Sequence, residues 1–504
     1  MRSEATLKNS AWGIAQQIIV CILSLFSRRV MIDTIGVEGV GLNAFLNSVI
    51  TMLSLAELGI GTAIVYHMYS PIANNDKPQI ARLMHGYKII YRVIAAVIML
   101  IGLCLLPFMN RIVGDVSYTN GYVALIFLLF LMQTTSSYLF TYKRSMLSAD
   151  QKQYIITIYD LGYKIVTIFA GILILKLTGE LAWYIIMLTV CTVLENMLIS
   201  RRVDRLYPYI NEMSGKLSGA EAKQIAHDVK NIFVGKVSAV ITNSTDSILI
   251  NMFAGTIQTG LYSNYNIILG TLSAAIRQFS DAMRGSVGNL IAVEAPEHVD
   301  KVYKRLIFIM FFAGSFCACC LTGLIDPFVT LAFGEGLLLN RVTVYVCILN
   351  LYMSAIDIPI RNMITSAGMF GSDKYISIAG SGVNLIISFI LGKKTGMTGV
   401  LIGTSCTYII QFVLKTAVFY KGFLRISSFG VFLRSFIFSA ITVLECMLIS
   451  FAAGRIQLSN PYAAFVLKGA VSGIIPIAAN CLLFCKTDEF SYCIGIAKQI
   501  MKRK

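Results

Sequence analysis

Arg28, Lys236, Arg277 and Arg284 sit within or at the ends of long apolar stretches of this 504-residue chain, as do the acids Glu57, Asp246 and Asp281. An ionised side chain in a membrane span costs about 2.5–3.5 kcal/mol by insertion scales, so it persists where it lines water, pairs with another charge or meets a ligand. The spacing of the neighbours favours a shared polar surface. Gln17, Ser24 and Arg28 fall on one helical face, and Lys236, Asn243 and Ser247 fall on another. A further stripe runs through Asn43, Asn47, Ser54 and Gly61 with Glu57 close by, and its counterpart through Asn266, Ser273, Arg277, Ser280 and Arg284. Four such faces would enclose a hydrated cavity with an excess of cations, suited to an anionic ligand and, through arginine, to phosphate oxygens. Asp246 follows Thr242, Asn243, Ser244 and Thr245. A carboxylate among hydroxyls can change protonation or hold a cation, so it is the preferred ion-coupling candidate, ahead of Glu57 and Asp281.

Each of these residues also has a plainer reading. Arg28, Arg29 and Arg284 lie near helix ends and could snorkel to headgroups. Arg277 and Asp281 are one turn apart and could only neutralise each other. Asp160 with Lys164, and Asp357 with Arg361, have the i, i+4 spacing of structural ion pairs. Glu195, Lys415, Glu445 and Lys468 belong to no stripe and read as contacts between helices.

The elements that must position these groups are apolar helices. Hydrophobic residues make up 56% of the chain and charged ones 13%, against about 25% charged in a soluble domain. Fourteen stretches are long enough to span a bilayer: 10–32, 40–66, 86–109, 120–142, 154–175, 181–199, 230–254, 259–289, 304–325, 341–364, 375–392, 397–419, 432–453 and 462–485. With the N-terminus in the cytoplasm, most of the 42 Lys and Arg fall on the cytoplasmic side, the positive-inside asymmetry. That accounts for the net charge of +16 without a nucleic-acid partner. Both termini are then cytoplasmic. The first stretch contains Gln16 and Gln17 and lacks a small-residue cleavage site, so it reads as a retained helix.

The chain also matches itself at an offset of 219 residues. Gly36 meets Gly255, Gly41 and Leu42 meet Gly260 and Leu261, and Asn47 and Ser54 meet Asn266 and Ser273. Farther along, Leu106-Pro107-Phe108 resembles Asp326-Pro327-Phe328, and Arg144-Ser145-Met146 resembles Arg361-Asn362-Met363. Six helices per repeat is an even number, so the halves enter the membrane in the same direction. The expected architecture is an all-α polytopic membrane protein of about fourteen transmembrane helices. Two parallel six-helix lobes surround a central cavity, followed by two C-terminal helices. The corresponding segments are an N-lobe over 1–199, a cytoplasmic linker over 200–229, a C-lobe over 230–419, and helices 13 and 14 with a tail over 420–504.

Little in the chain suggests bond chemistry. No GxxxxGK[ST] phosphate loop is present. His67, His85, His227 and His298 have no ligand spacing, and the CxxC of Cys317 and Cys320 has no second pair. No metal, cofactor or enzymatic activity is expected. A channel would not need two duplicated halves, which leaves secondary transport by alternating access.

Two places carry a family likeness. Glu57-Leu58-Gly59-Ile60-Gly61-Thr62-Ala63 with His67-Met68-Tyr69-Ser70-Pro71-Ile72-Ala73 resembles the end of helix 2 in bacterial polysaccharide-export flippases. Ser244-Thr245-Asp246-Ser247-Ile248-Leu249-Ile250 with Gly260-Leu261-Tyr262-Ser263-Asn264-Tyr265 resembles their helix 7–8 region. These proteins belong to the multidrug/oligosaccharidyl-lipid/polysaccharide (MOP) exporter superfamily. The resemblance implies movement of undecaprenyl-diphosphate-linked oligosaccharide repeat units across the bacterial cytoplasmic membrane. It also implies polysaccharide polymerase or glycosyltransferase partners. Arg28, Lys236, Arg277 and Arg284 would then meet the diphosphate, and Gln17, Asn47, Asn243 and Asn266 the sugars. Peptidoglycan-precursor flippases, whose substrate is also a lipid diphosphate, and cation-coupled multidrug antiporters of the same superfamily are the alternatives.

Overall fold

The computed structural model describes residues 2–57, 60–150, 152–213, 217–219, 221, 223, 225, 229, 244–492, 494 and 495. For 2–19, 55, 56, 62, 110, 153, 278–286, 289 and 292 it describes the backbone alone.

Every described element is helical. In chain order these are α1 Arg2–Leu53, α2 Ile60–Ala73, α3 Lys77–Leu105, α4 Met109–Val113, α5 Asn120–Ala149, α6 Gln153–Thr178, α7 Leu181–Leu206 and α8 Tyr209–Glu212. Then come α9 over 244–254, α10 Thr256–Val293, α11 Pro296–Phe333, α12 Arg341–Ser366, α13 Phe370–Thr395, α14 Met397–Phe419, α15 Phe429–Gly454 and α16 Pro461–Phe484. Among the described residues, ten helical segments are long and apolar enough to cross a membrane, so this is an all-helical, multi-pass membrane protein. α1 and α10, two of the helices with polar faces, are not among the ten. Local signals set several boundaries. Asp76 caps α3 by accepting the Gln79 N–H, and Pro78 follows inside the first turn, where its missing N–H costs nothing. Asn460 caps α16 by accepting the Tyr462 and Ala463 N–H groups ahead of Pro461.

The duplication is visible in backbone geometry. α1 breaks at Gly36 (φ 72°), and the step from α9 to α10 is made at Gly255 (φ 88°). Both need the left-handed region that glycine enters without penalty. Positive φ recurs at Gly114 and Gly334 and at Gly179 and Gly396, although ψ differs between the last two (8° and −136°). The turn after α5 is closed by Asp150 N–H to Met146 O and Lys152 N–H to Leu147 O. The turn after α12 is closed by Ala367 N–H to Met363 O and Met369 N–H to Ile364 O. Each bond in the second turn lies 217 residues after its partner in the first, so the two repeats share turn chemistry as well as helix order.

The chain divides into two compact units, Met1–Ser263 and Asn264–Lys504. In the first, α5 packs against α2, α3 and α7, and α6 against α1 and α7. A core cluster runs through Phe45, Tyr87, Tyr91, Phe127 and Tyr138. The break in α1 is held from the α4–α5 loop: Ser117 N–H donates to Glu38 (2.7 Å) and Tyr118 Oη–H to the Ile35 carbonyl (3.3 Å). Here the repeats cross reciprocally. A Cβ on Gly41 would lie 1.9 Å from the Thr256 carbonyl oxygen, and one on Gly260 would lie 2.3 Å from the Val37 carbonyl oxygen. Val37 and Gly41 correspond to Thr256 and Gly260 at the repeat offset, so the crossing has local two-fold character. In the second unit, α11 packs against α12, α15 and α16, and α14 against α12 and α13. Phe311 and Phe438 stack at 4.2 Å, with Phe308 and Phe484 edge-on around them.

Orientation gives a first test. Asp115, in the exposed α4–α5 loop, and Asn74, in the exposed α2–α3 turn, lie on opposite sides in the topology expected from the charge asymmetry. In intact cells a membrane-impermeant maleimide should label Asp115→Cys and spare Asn74→Cys. The reverse pattern would invert the assignment.

Candidate functional site

Most charges inside the helices compensate one another. Arg144 on α5 reaches Asp160 on α6 (2.9 Å) and Glu195 on α7 (2.8 Å), and its Nε donates to Asn196 (3.0 Å). This corrects the expected Asp160–Lys164 pair: Lys164 is exposed, and a guanidinium fork across three helices satisfies two carboxylates that one ammonium on the same helix could not. Glu195, which had no sequence pattern, owes its place to that arginine. Lys143 pairs with Asp204 (2.7 Å), and nearly buried Lys415 with Asp373 (3.2 Å). Asp357 and Arg361 form the expected i, i+4 pair at 2.7 Å. At the α5–α6 turn, Lys152 meets Asp150 (2.7 Å) and the Tyr207 hydroxyl (3.2 Å). Hydrogen bonds to Asp150, then to Tyr207, hold this lysine above its usual range.

The expected ligand-binding residues are of another kind. Arg28 is half-buried on α1, and its Nη1 donates to the Ser263 hydroxyl (3.4 Å), with no carboxylate partner among the described residues. Arg277, Asn47 and Asn266 are exposed, and Arg277 makes no ion pair among the described side chains. Lys236 and Asn243 lie outside the described residues. Gln17, Asp281 and Arg284 are placed on α1 and α10 by their backbone, with their side chains outside the description. The structure therefore brings Arg28 to Ser263, one turn before Asn266 on α10, and leaves the remainder of the expected constellation open.

Of the acids, Glu57 is half-buried and accepts from the Tyr91 hydroxyl (3.3 Å), beside the Tyr138 ring. Asp246 is buried at 6% exposure on α9, next to buried Ser244 and Thr245. Two buried polar centres carried no stripe. Asn251 donates to the Val113 carbonyl (2.9 Å) and accepts from Thr256 (3.0 Å). Glu445 accepts from Ser315 in the core of α11, α15 and α16. Of the CxxC segment, Cys320 meets the Ser472 carbonyl (3.8 Å), while Cys319 turns to Glu445 (3.7 Å).

No family model matches the chain, and no curated protein sequence matches it. Solved structures do match. The lipid II flippase MurJ in an inward closed conformation aligns with a TM-score of 0.67 at 14% identity, over 93% of this chain and 98% of that one. An inward-facing multidrug resistance MATE family transporter of the MOP superfamily aligns with a TM-score of 0.64 at 13% identity, over 80% and 97%. The MATE multidrug transporter DinF-BH, solved in complex with a ligand, aligns with a TM-score of 0.52 at 17% identity, over 82% and 94%. The chain thus has the fold of MOP superfamily membrane transporters.

Proposed function

We propose that the protein is a flippase that moves undecaprenyl-diphosphate-linked oligosaccharide repeat units across the bacterial cytoplasmic membrane by alternating access, for surface polysaccharide assembly. The observation that carries this reading is Arg28: on α1, its guanidinium meets a hydroxyl and, among the described residues, no carboxylate, and such a group keeps its charge for an anion. Arg277 is exposed and makes no ion pair among the described side chains. A diphosphate offers such groups bidentate oxygen acceptors, whereas an organic cation would be repelled. Asn47 and Asn266, exposed amides, suit sugar hydroxyls, and Lys236, Arg284, Gln17 and Asn243 belong to the same proposed set. The fold of the lipid II flippase accounts for more of the chain than that of the multidrug transporters, which supports a lipid-linked substrate. Asp246, with Glu57 and Asp281 behind it, is the proposed ion-coupling acid. Glycosyltransferases and a polysaccharide polymerase would supply and consume the cargo.

In proteoliposomes, fluorescent polyprenyl-diphosphate oligosaccharide should become accessible to a quencher on the opposite side. Arg28→Ala and Arg277→Ala should each slow this about tenfold, as expected for a lost charge-assisted hydrogen bond, with insertion unchanged. Efflux of a lipophilic cation that survives both substitutions, without lipid movement, would support the antiporter reading instead.

A further inference from the structure

Glu445 on α15 is 3% exposed in the second unit's core, where α11, α15 and α16 meet. Among the described residues no cation is paired with it. The polar groups around it are the Ser315 hydroxyl and Cys319 thiol of α11, Asn480 of α16 and, on its own helix, Cys446. Tyr352 of α12 stands beside Ser439, six residues before Glu445 on α15. None of these carries a positive charge.

The hydrogen bonds are one donor short. Ser315 has a single O–H, and it goes to Glu445 Oε2. Its oxygen accepts from Asn480 Nδ2 at 3.5 Å. Glu445 Oε1 and Asn480 Oδ1, both buried, have no hydrogen-bond partner, and Asn480 is 1% exposed and Ser315 0%. Two orphan acceptors thus sit on residues joined through one serine. An ionised carboxylate here would face the full desolvation cost with no counter-charge, and a carboxyl in that position takes up a proton instead. A proton on Oε1 converts one orphan acceptor into a donor, and the O–H can then be given to Asn480 Oδ1. That one added atom would satisfy both orphans and close a ring with the two bonds already present, Asn480 to Ser315 and Ser315 to Glu445.

We infer that Glu445, Ser315 and Asn480 form a proton-binding site, with the proton held on Glu445 Oε1. α15 and α16 lie outside the duplicated part of the chain, and this proton links them to α11, a helix of the second repeat. Loss of the proton would leave a lone carboxylate in the three-helix core and work against its packing. Proton occupancy therefore sets how tightly the C-terminal helix pair is held.

The test is infrared spectroscopy of the full-length protein in lipid nanodiscs. The wild type should show a protonated-carboxyl C=O band that Glu445→Gln removes, because glutamine reproduces the ring with its own N–H and has no carboxyl. Asn480→Val, which deletes the acceptor of the bound proton, should move the same band to higher frequency. A band untouched by both substitutions would overturn the proposal. So would a sodium-dependent thermal stabilisation lost in Glu445→Gln, since the site would then hold a metal cation. Neither readout depends on the substrate, so failure of lipid transport would count against the flippase reading alone.

Discussion

Gly41→Ala should open the crossing between the two repeats and destabilise the conformation seen here by about 3 kcal/mol, the upper end for overpacking. The added Cβ would stand 1.9 Å from the Thr256 carbonyl oxygen, 2.9 Å from its carbon and 3.0 Å from the Gly260 nitrogen. These atoms are backbone, so no rotamer change relieves the clash and one of the two helices must shift. Gly260→Ala meets the same difficulty at the Val37 carbonyl oxygen and the Gly41 nitrogen (3.1 Å). The measurement is oxidative cross-linking of a Val37→Cys/Thr256→Cys pair, with the bridged peptide identified by mass. The cross-link should form readily in the otherwise native chain and fall at least tenfold with either alanine. Combining Gly41→Ala with Gly260→Ala should cost less than the sum, because the first substitution already opens the contact that the second would strain. Full cross-linking with Gly41→Ala would show that the crossing has slack the structure does not reveal.

Those two glycines mark what the sequence could convey. The repeat offset paired Gly36 with Gly255 and Gly41 with Gly260, because left-handed turns and close helix crossings admit almost no other residue. The presence of apolar spans was legible because a bilayer fixes their length, but their starts were not: α3 begins at Lys77 and α11 at Pro296, ahead of the expected 86 and 304, because their polar first turns carry no hydropathy signal. An ion pair was legible when it lay within one helix, as with Asp357 and Arg361. It was not when three helices contributed. Asp160 has a lysine one turn away, yet it bonds to Arg144, since partner choice depends on where α5 and α7 pass and periodicity is silent on that. Glu445 escaped for the same reason, since Ser315, which donates to it, lies more than a hundred residues earlier in the chain. The cationic faces were read from spacing alone, and among their described side chains only Arg28 makes a tertiary contact.

Arg361→Ala should be the more damaging of the charge deletions. Asp357 is 0% exposed, and its Oδ2 accepts from both Nε (3.2 Å) and Nη2 (2.7 Å) of Arg361. Its other oxygen has no hydrogen-bond partner, so the arginine is what keeps the carboxylate tolerable inside α12. Truncating one member of a buried pair typically costs about 3–5 kcal/mol, because the remaining charge stays buried without compensation. The Arg361 side chain is 42% exposed, which screens part of the attraction and puts the expected loss near the lower limit. Yield in the membrane and the thermal midpoint in detergent should both drop. Asp357→Asn should cost less alone, since a neutral amide needs no counter-charge. The double variant Asp357→Asn/Arg361→Ala should recover most of what Arg361→Ala loses. That recovery separates an electrostatic fault from lost packing of the arginine stem: if the double variant is as unstable as Arg361→Ala alone, the aliphatic part of Arg361 holds the helix and the carboxylate does not depend on its charge.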